Sequence, residues 1–289
     1  MNVNEQKRIL SVQDISCLGK CSNTVALPVL SAAGHECVML PTALLSTHTA
    51  GFTGFTFLDL TEEMKKILDH YDRAGFPFDA VMTGYFGSGE QIGILQSWMA
   101  SRDAASVAQG GKPIRKYIDP VLGDGGKLYS IYDDAFVAAM RELTVGADLV
   151  TPNRTEACLV NGVAYEGEGY HENQLEALLS GFREKKVAKA VITGIRLGEN
   201  EIGVCAEDFT DGSAPYLIKS RFVEGSFHGA GDLFTAALVG LIELGVPLKD
   251  ALDAAVPFVG DCLADCIGSG KLYGPMFENR LASFFLPFI

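Results

Sequence analysis

Short apolar runs alternate along the chain with longer stretches of helical periodicity. Ile9-Leu10-Ser11-Val12-Gln13 reads as a strand, Asn23 to Ala33 as a helix stopped at Gly34, and Glu36 to Leu40 as a second strand. Thr61 to Ala74 carries amphipathic helical spacing, with a Thr-x-x-Glu-like start at Thr61, Glu62 and Glu63 and a closing Gly75. Asp79 to Gly84 is an apolar strand with a glycine exit, and a helix begins near Ser88. The scheme recurs at Tyr117 to Val121, Ala147 to Asn153 and Lys189 to Gly194, each a short apolar run followed by polar residues. Glu201 to Ala206 and Tyr216 to Phe222, joined through Asp211-Gly212, predict an antiparallel hairpin. From Gly229 onward the chain reads as helical, in pieces near 231–245, 248–266 and 276–285. Strands alternating with helices predict an α/β fold with a mostly parallel sheet covered on both faces.

In such sheets a ligand sits off the carboxyl ends of the strands. The predicted ends carry Asp14, Gly84-Tyr85, Asp119, Thr151-Asn153-Glu156 and Thr193-Gly194, a convergent polar set. No repeat, low-complexity tract or Pro/Ser-rich linker divides the 289 residues, which predicts one domain over 1–289.

Charge narrows the partners. A net charge of −13 argues against nucleic acid or an anionic membrane surface, because both need a basic face. The longest apolar stretch, Leu233 to Val246, is too short to span a bilayer and contains Glu243. The opening residues through Arg8 carry no apolar signal core. The seven cysteines include no C-x-x-C pair and no zinc-ligand spacing, so reduced, mainly buried thiols and a cytoplasmic location are expected.

The segment with the sharpest chemistry is Phe227-His228-Gly229-Ala230-Gly231-Asp232, followed by an apolar helix. Two glycines at a helix start leave bare amides that can bind an oxyanion along the helix dipole. A carboxylate beside them can accept a hydroxyl proton as a phosphoryl group arrives. Taken alone, Asp232 reads equally well as a first-turn helix residue favoured by the dipole. Asp119-Pro120-Val121-Leu122-Gly123-Asp124 and Thr151-Pro152-Asn153-Arg154-Thr155-Glu156 add carboxylates and an amide on neighbouring strand ends. Each acid by itself fits a turn or helix-start role; with the anion hole they favour a metal–nucleotide site, since Mg²⁺ binds through one or two carboxylates and substrate phosphates.

These motifs, with Ser46-x-His48-Thr49, Gly84-Tyr85-x-Gly87-Ser88 and the opening strand, resemble the ribokinase superfamily and, within it, the pyridoxal kinase branch. The resemblance runs over nearly the whole chain. It implies a three-layer α/β/α sandwich and ATP-dependent phosphorylation of the 5-hydroxymethyl group of pyridoxal, pyridoxine or pyridoxamine. It makes Asp232 the base and the amides of Gly229, Ala230 and Gly231 the anion hole. Asp119, Asn153, Glu156, Thr193 and Gly194 would face ATP phosphates or their cations, and Val223, Glu224 and Gly225 the adenine side. Asp124, with Asp119 and Glu156, would sit at Mg²⁺; Asp119, Thr151 and Thr193 would line a monovalent-cation site, commonly K⁺. Thr49 and Tyr85 would line the ring pocket, Tyr129 a flap over the nucleotide, and a homodimer is implied.

Two positions depart from the pattern. Asp14 stands where the family usually has Ser, which leaves open a contact to the ring 3-hydroxyl, to a protonated ring nitrogen, or a pyrimidine in place of the pyridine. Ala230 replaces a common Thr but keeps its amide. Hydroxymethylpyrimidine kinase is the nearest rival, although those relatives usually carry Cys at the position of Asp232. A catalytically silent nucleotide- or vitamin-binding protein is the rival from another class. His228 reads as a solvated loop histidine, and the 284–289 tail as docked on the body or on a second subunit.

Overall fold

The computed structural model describes residues 6–49, 51–167, 169–267 and 273–289. In chain order the elements are β1 (Arg8–Leu18), α1 (Asn23–Ala32), β2 (Glu36–Thr47), β3 (Phe57–Asp59), α2 (Thr61–Ala74), β4 (Ala80–Thr83), α3 (Gly89–Ala108) and β5 (Arg115–Ile118). There follow β6 (Gly123–Asp124), β7 (Lys127–Leu128), α4 (Asp134–Leu143), β8 (Leu149–Val150), α5 (Arg154–Asn161), α6 (Glu172–Glu184) and β9 (Lys189–Arg196). The hairpin β10 (Glu201–Asp208) and β11 (Tyr216–Arg221) precedes α7 (Ala230–Glu243), α8 (Leu248–Ala264) and α9 (Glu278–Phe284).

One nine-stranded sheet runs in the order β11-β10-β9-β8-β5-β4-β1-β2-β3. The run from β9 to β2 is parallel; β10, β11 and β3 add antiparallel pairings at the two edges. Successive side chains of β1 serve opposite cores. Leu10 and Val12 pack with the buried faces of α2 to α6, and Ile9 with α1, α7 and α8. Helices therefore cover both faces, as the alternation predicts, and the expected three-layer sandwich is the fold observed. Among the described residues no helix is long and apolar enough to cross a membrane.

The topology fixes where a ligand can sit. From β1 the chain goes outward to β2, then returns to place β4 on the other side of β1. That reversal opens a crevice between the carboxyl ends of β1 and β4. Several boundaries differ from the sequence reading. α2 has no capping box: Leu60 is its N-cap, and the Asp59 carboxylate accepts from Thr61 N–H at 2.9 Å. The short strands β3, β6 and β7 carry too few residues to show a period. In the tail, Phe285 is buried and Phe284 stacks on Phe258 with ring centroids 3.9 Å apart, while Leu286 and Ile289 are exposed.

Candidate active site

Backbone hydrogen bonds carry the parallel ladder one residue past the strand ends. Gly84 N–H donates to Val12 C=O at 3.1 Å, Asp119 N–H to Thr83 C=O at 3.3 Å, and Thr151 N–H to Ile118 C=O at 3.1 Å. This row sets Gln13, Gly84, Asp119 and Thr151 side by side at strand spacing. A Cβ on Gly84 would lie 2.3 Å from Gln13 Oε1, so a side chain there would require the Gln13 amide to move.

Asp119 is buried at the end of β5 and meets the start of α7. Thr235 Oγ1 donates to its Oδ2 at 3.3 Å, and Thr235 Oγ1 lies 2.8 Å from Thr151 Oγ1. A Cβ on Gly231 would stand 3.9 Å from Asp119 Oδ2. Gly229 is the N-cap of α7 with φ +83°, and a Cβ there would strike Lys20 C=O at 1.9 Å. The helix start therefore has to be glycine, which leaves its first amides open to a ligand. One of the three expected amides is partly engaged: Ala230 N–H donates to Phe227 C=O at 3.3 Å.

Glu156 turns both carboxylate oxygens inward. Oε2 accepts from Asn153 N–H at 2.8 Å and Oε1 from Leu122 N–H at 3.1 Å, while Asn153 Oδ1 accepts from Glu156 N–H at 2.9 Å. The pair is a capping box on α5. Asn153 Nδ2 also donates to Gly123 C=O at 2.9 Å, which ties in the β6–β7 hairpin. That hairpin turns through Gly125 and Gly126, both at positive φ, and holds Asp124 exposed at its edge. Asp124 Oδ1 accepts from Gly125 N–H at 2.8 Å.

The charges of these acids act on one another. Burial pushes the Asp119 carboxyl well above the usual range, and the charges of Glu156 and Asp232 push it further. Burial takes Glu156 up to about 8 against the hydrogen bonds from Asn153 and Leu122, with Asp124 adding repulsion. Asp232, half-buried in the first turn of α7, is raised to about 6 by burial; Ser22 N–H opposes the shift and Asp14 adds to it. Tyr129 is raised by burial and by the charges of Glu156, Asp124, Asp119 and Asp232 together. Several carboxylates desolvated against one another suit a bound cation. Among the described residues no three His, Cys, Asp or Glu side chains converge as a ligand set. A hard cation here would need phosphate or water oxygens to complete its shell.

Asp14 is not at a strand end. β1 continues to Leu18, and Asp14 sits at a register shift against β2, buried, with Ser16 Oγ donating to its Oδ2 at 2.9 Å. Burial raises its pKa, while the Ser22 and Ser16 hydroxyls oppose the shift. Thr193 and Gly194 likewise lie inside β9, at a bulge against β10 where Gly194 has φ +73°. Thr193 N–H donates to Pro152 C=O at 2.9 Å, which keeps it beside the 151–153 turn.

The remaining expected residues fall as follows. Tyr85 is half-buried after β4, with its pKa pushed to about 12 by burial and by the Asp14 and Asp59 charges. Thr49 is exposed just beyond β2, whereas its neighbour His48 is buried with its ring centroid 5.5 Å from that of His228. Val223 is buried between β11 and α7, and Glu224 and Gly225 beside it are exposed. A groove of about 650 Å³ between α2 and α3, lined by Lys65, Asp72 and Trp98, contains none of the site residues. Sequence reasoning missed Ser16 and Thr235. Both were signalled by period, since Ser16 lies two residues along the strand from Asp14 and Thr235 stands one helical turn from Asp232.

The model of the phosphomethylpyrimidine kinase family matches residues 27–277. The chain belongs to this family. A Bacteroides thetaiotaomicron protein described as a phosphomethylpyrimidine kinase, and solved with pyridoxal, superposes with a TM-score of 0.88 at 32% identity, covering 97% of this chain and 96% of that one. The pyridoxal kinase of Lactobacillus plantarum superposes with a TM-score of 0.84 at 30% identity, covering 96% of each chain. Among curated sequences, the pyridoxine/pyridoxal/pyridoxamine kinase of Bordetella avium is 26% identical over 89% of this chain and 84% of its own. The phosphomethylpyrimidine kinase family and the pyridoxal kinase fold thus meet in one chain, in agreement with the ribokinase-like resemblance.

Proposed function

We propose that this chain transfers the γ-phosphoryl group of ATP to the 5-hydroxymethyl group of pyridoxal, pyridoxine or pyridoxamine. The observation that carries the reading is Asp232 in the first turn of a helix whose glycine start opens beside buried Asp119. The similarity to pyridoxal kinases, and to a protein solved with pyridoxal, supplies the substrate class.

In this reading Asp232 lies at the acceptor hydroxyl and takes its proton as the oxygen attacks the γ-phosphorus. The bond to the leaving ADP oxygen breaks in the same displacement. Amides of Gly229, Ala230 and Gly231 hold the transferring phosphoryl group along the α7 dipole. Asn153, Thr193 and Gly194 face the nucleotide phosphates, with Val223, Glu224 and Gly225 on the adenine side. Asp14 and Tyr85 face the ring, and Thr49 borders that pocket. Asp119, Asp124 and Glu156 would hold Mg²⁺ together with phosphate oxygens. When bound, Mg²⁺ neutralises the charge that develops on the phosphates. Thr151, Thr193 and Asp119 would line the K⁺ site. A homodimer and a cytoplasmic setting complete the reading.

The match to the phosphomethylpyrimidine kinase model and the carboxylate at Asp14 favour a second acceptor, the hydroxymethyl group of a pyrimidine. The two are separated by offering B6 vitamers and hydroxymethylpyrimidine in parallel with Mg-ATP. Higher kcat/KM on a vitamer supports the first reading, and turnover of the pyrimidine alone supports the second.

A further inference from the structure

Tyr85-Phe86-Gly87, in the loop between β4 and α3, is held by buried side chains from three separate parts of the chain. Thr42 Oγ1, on β2, donates to Tyr85 C=O at 2.9 Å. The Tyr132 hydroxyl, just before α4, donates to Phe86 C=O at 2.9 Å. Gly87 N–H donates to Oε1 of Gln91, in the first turn of α3, at 2.8 Å. Thr42, Gln91 and Tyr132 are all buried.

Gln91 closes the set. Ser88-x-x-Gln91 has the spacing of a capping box, in which the glutamine side chain would return to Ser88 N–H. Ser88 Oγ does accept from Gln91 N–H at 3.4 Å, but the Gln91 amide reaches one residue further back, to Gly87. Its Nε2 donates to Thr42 C=O at 2.9 Å and to Thr61 Oγ1 at 3.0 Å. Gly87 N–H can only donate and Thr42 C=O can only accept, so these partners fix which way the amide points. A circuit of hydrogen bonds thus runs from Tyr85 C=O through Thr42 and Gln91 to Gly87 N–H. Phe86, inside the circuit, is packed in the core, which leaves Tyr85 as the half-buried ring of this loop. A plain connection can leave its backbone to water. Burying three polar side chains to hold three residues points to a conformation that is used.

We infer that Gln91, Thr42 and Tyr132 are positioning residues that fix the 85–87 loop and thereby set affinity for the vitamer ring. The inference rests on the vitamer kinase reading above, in which Tyr85 faces that ring. These residues act through Tyr85, so their effect belongs in the vitamer KM, and not in kcat or the KM for ATP.

Steady-state kinetics of Thr42→Val, Tyr132→Phe and Gln91→Leu, each alone and combined with Tyr85→Ala, test this beside the parent chain. The first two remove one hydroxyl and keep the side-chain shape, and valine suits a strand, so both fold. Each is expected to raise the vitamer KM roughly three- to tenfold, the range for one hydrogen bond, with kcat and the KM for ATP within about twofold. Gln91→Leu leaves Gly87 N–H without its acceptor and is expected to raise it most; the hydroxyl deletions carry the test whether or not it folds. In the Tyr85→Ala background the same changes are expected to add nothing, because the ring they position is gone. A merely structural role would lower the folded fraction, and with it the apparent kcat, and leave every KM where it was. An unchanged vitamer KM in Thr42→Val and Tyr132→Phe, or an equal rise in both backgrounds, overturns the inference and leaves the kinase reading standing. A parent chain that turns over no vitamer removes the kinase reading, and the inference falls with it.

Discussion

Asp232 has the environment a general base needs: half-buried, and raised to about 6 chiefly by burial. Removing it should cost chemistry and spare nucleotide binding. Asp232→Ala is expected to lower kcat by about 10²-fold or more while the KM for ATP stays within about threefold, measured by steady-state ADP release. A loss below about tenfold would take the base role from Asp232. The same group sets the acid limb of the reaction. Its carboxylate must be deprotonated to accept a proton, so kcat/KM for the vitamer should hold above pH 6 and fall about tenfold by pH 5. A profile flat to pH 5 contradicts this.

Among elements, the start of α7 decides whether there is a site. Gly229 is constrained twice, by a positive φ and by Lys20 C=O where a Cβ would stand. Gly229→Ala is therefore expected to lower stability by about 1–3 kcal/mol, read by denaturant titration, and to abolish turnover. Wild-type stability with normal turnover would show that the loop yields. This element was legible in the sequence, because glycines flanking an apolar helix start have few other uses. The long parallel strands were legible too, as apolar runs with polar exits. What escaped were features that depend on pairing partners. The register shift at Asp14 and the bulge at Thr193-Gly194 put both inside strands instead of at their ends, and a single strand's pattern does not contain its neighbour's register. Glu156 reads in sequence as a free acid near a metal, yet the capping box with Asn153 engages its Oε2 and Leu122 N–H engages its Oε1.

At the scale of the whole molecule, the concentration of acids carries a cost that pH should reveal. Asp119, Glu156 and Asp232 all have folded-state pKa values raised above their ordinary ones. Between about pH 4 and 8 the folded chain therefore binds more protons than the unfolded chain at these sites, and they make stability fall as pH rises. The Tm without ligands is expected to be higher near pH 6 than near pH 8, by roughly 2–4 °C for each kcal/mol involved, and Mg-ATP should narrow the gap. A Tm that rises with pH over this window would mean that the acids are not buried together. The central claim, that this cluster serves phosphoryl transfer to a B6 vitamer, is tested most directly by ADP release with Mg-ATP and K⁺. Pyridoxal, pyridoxine, pyridoxamine, hydroxymethylpyrimidine and ribose are offered in parallel, with Asp232→Ala as the control. Turnover on a vitamer that disappears in the variant is the predicted result; ATP binding with no turnover on any vitamer would contradict it.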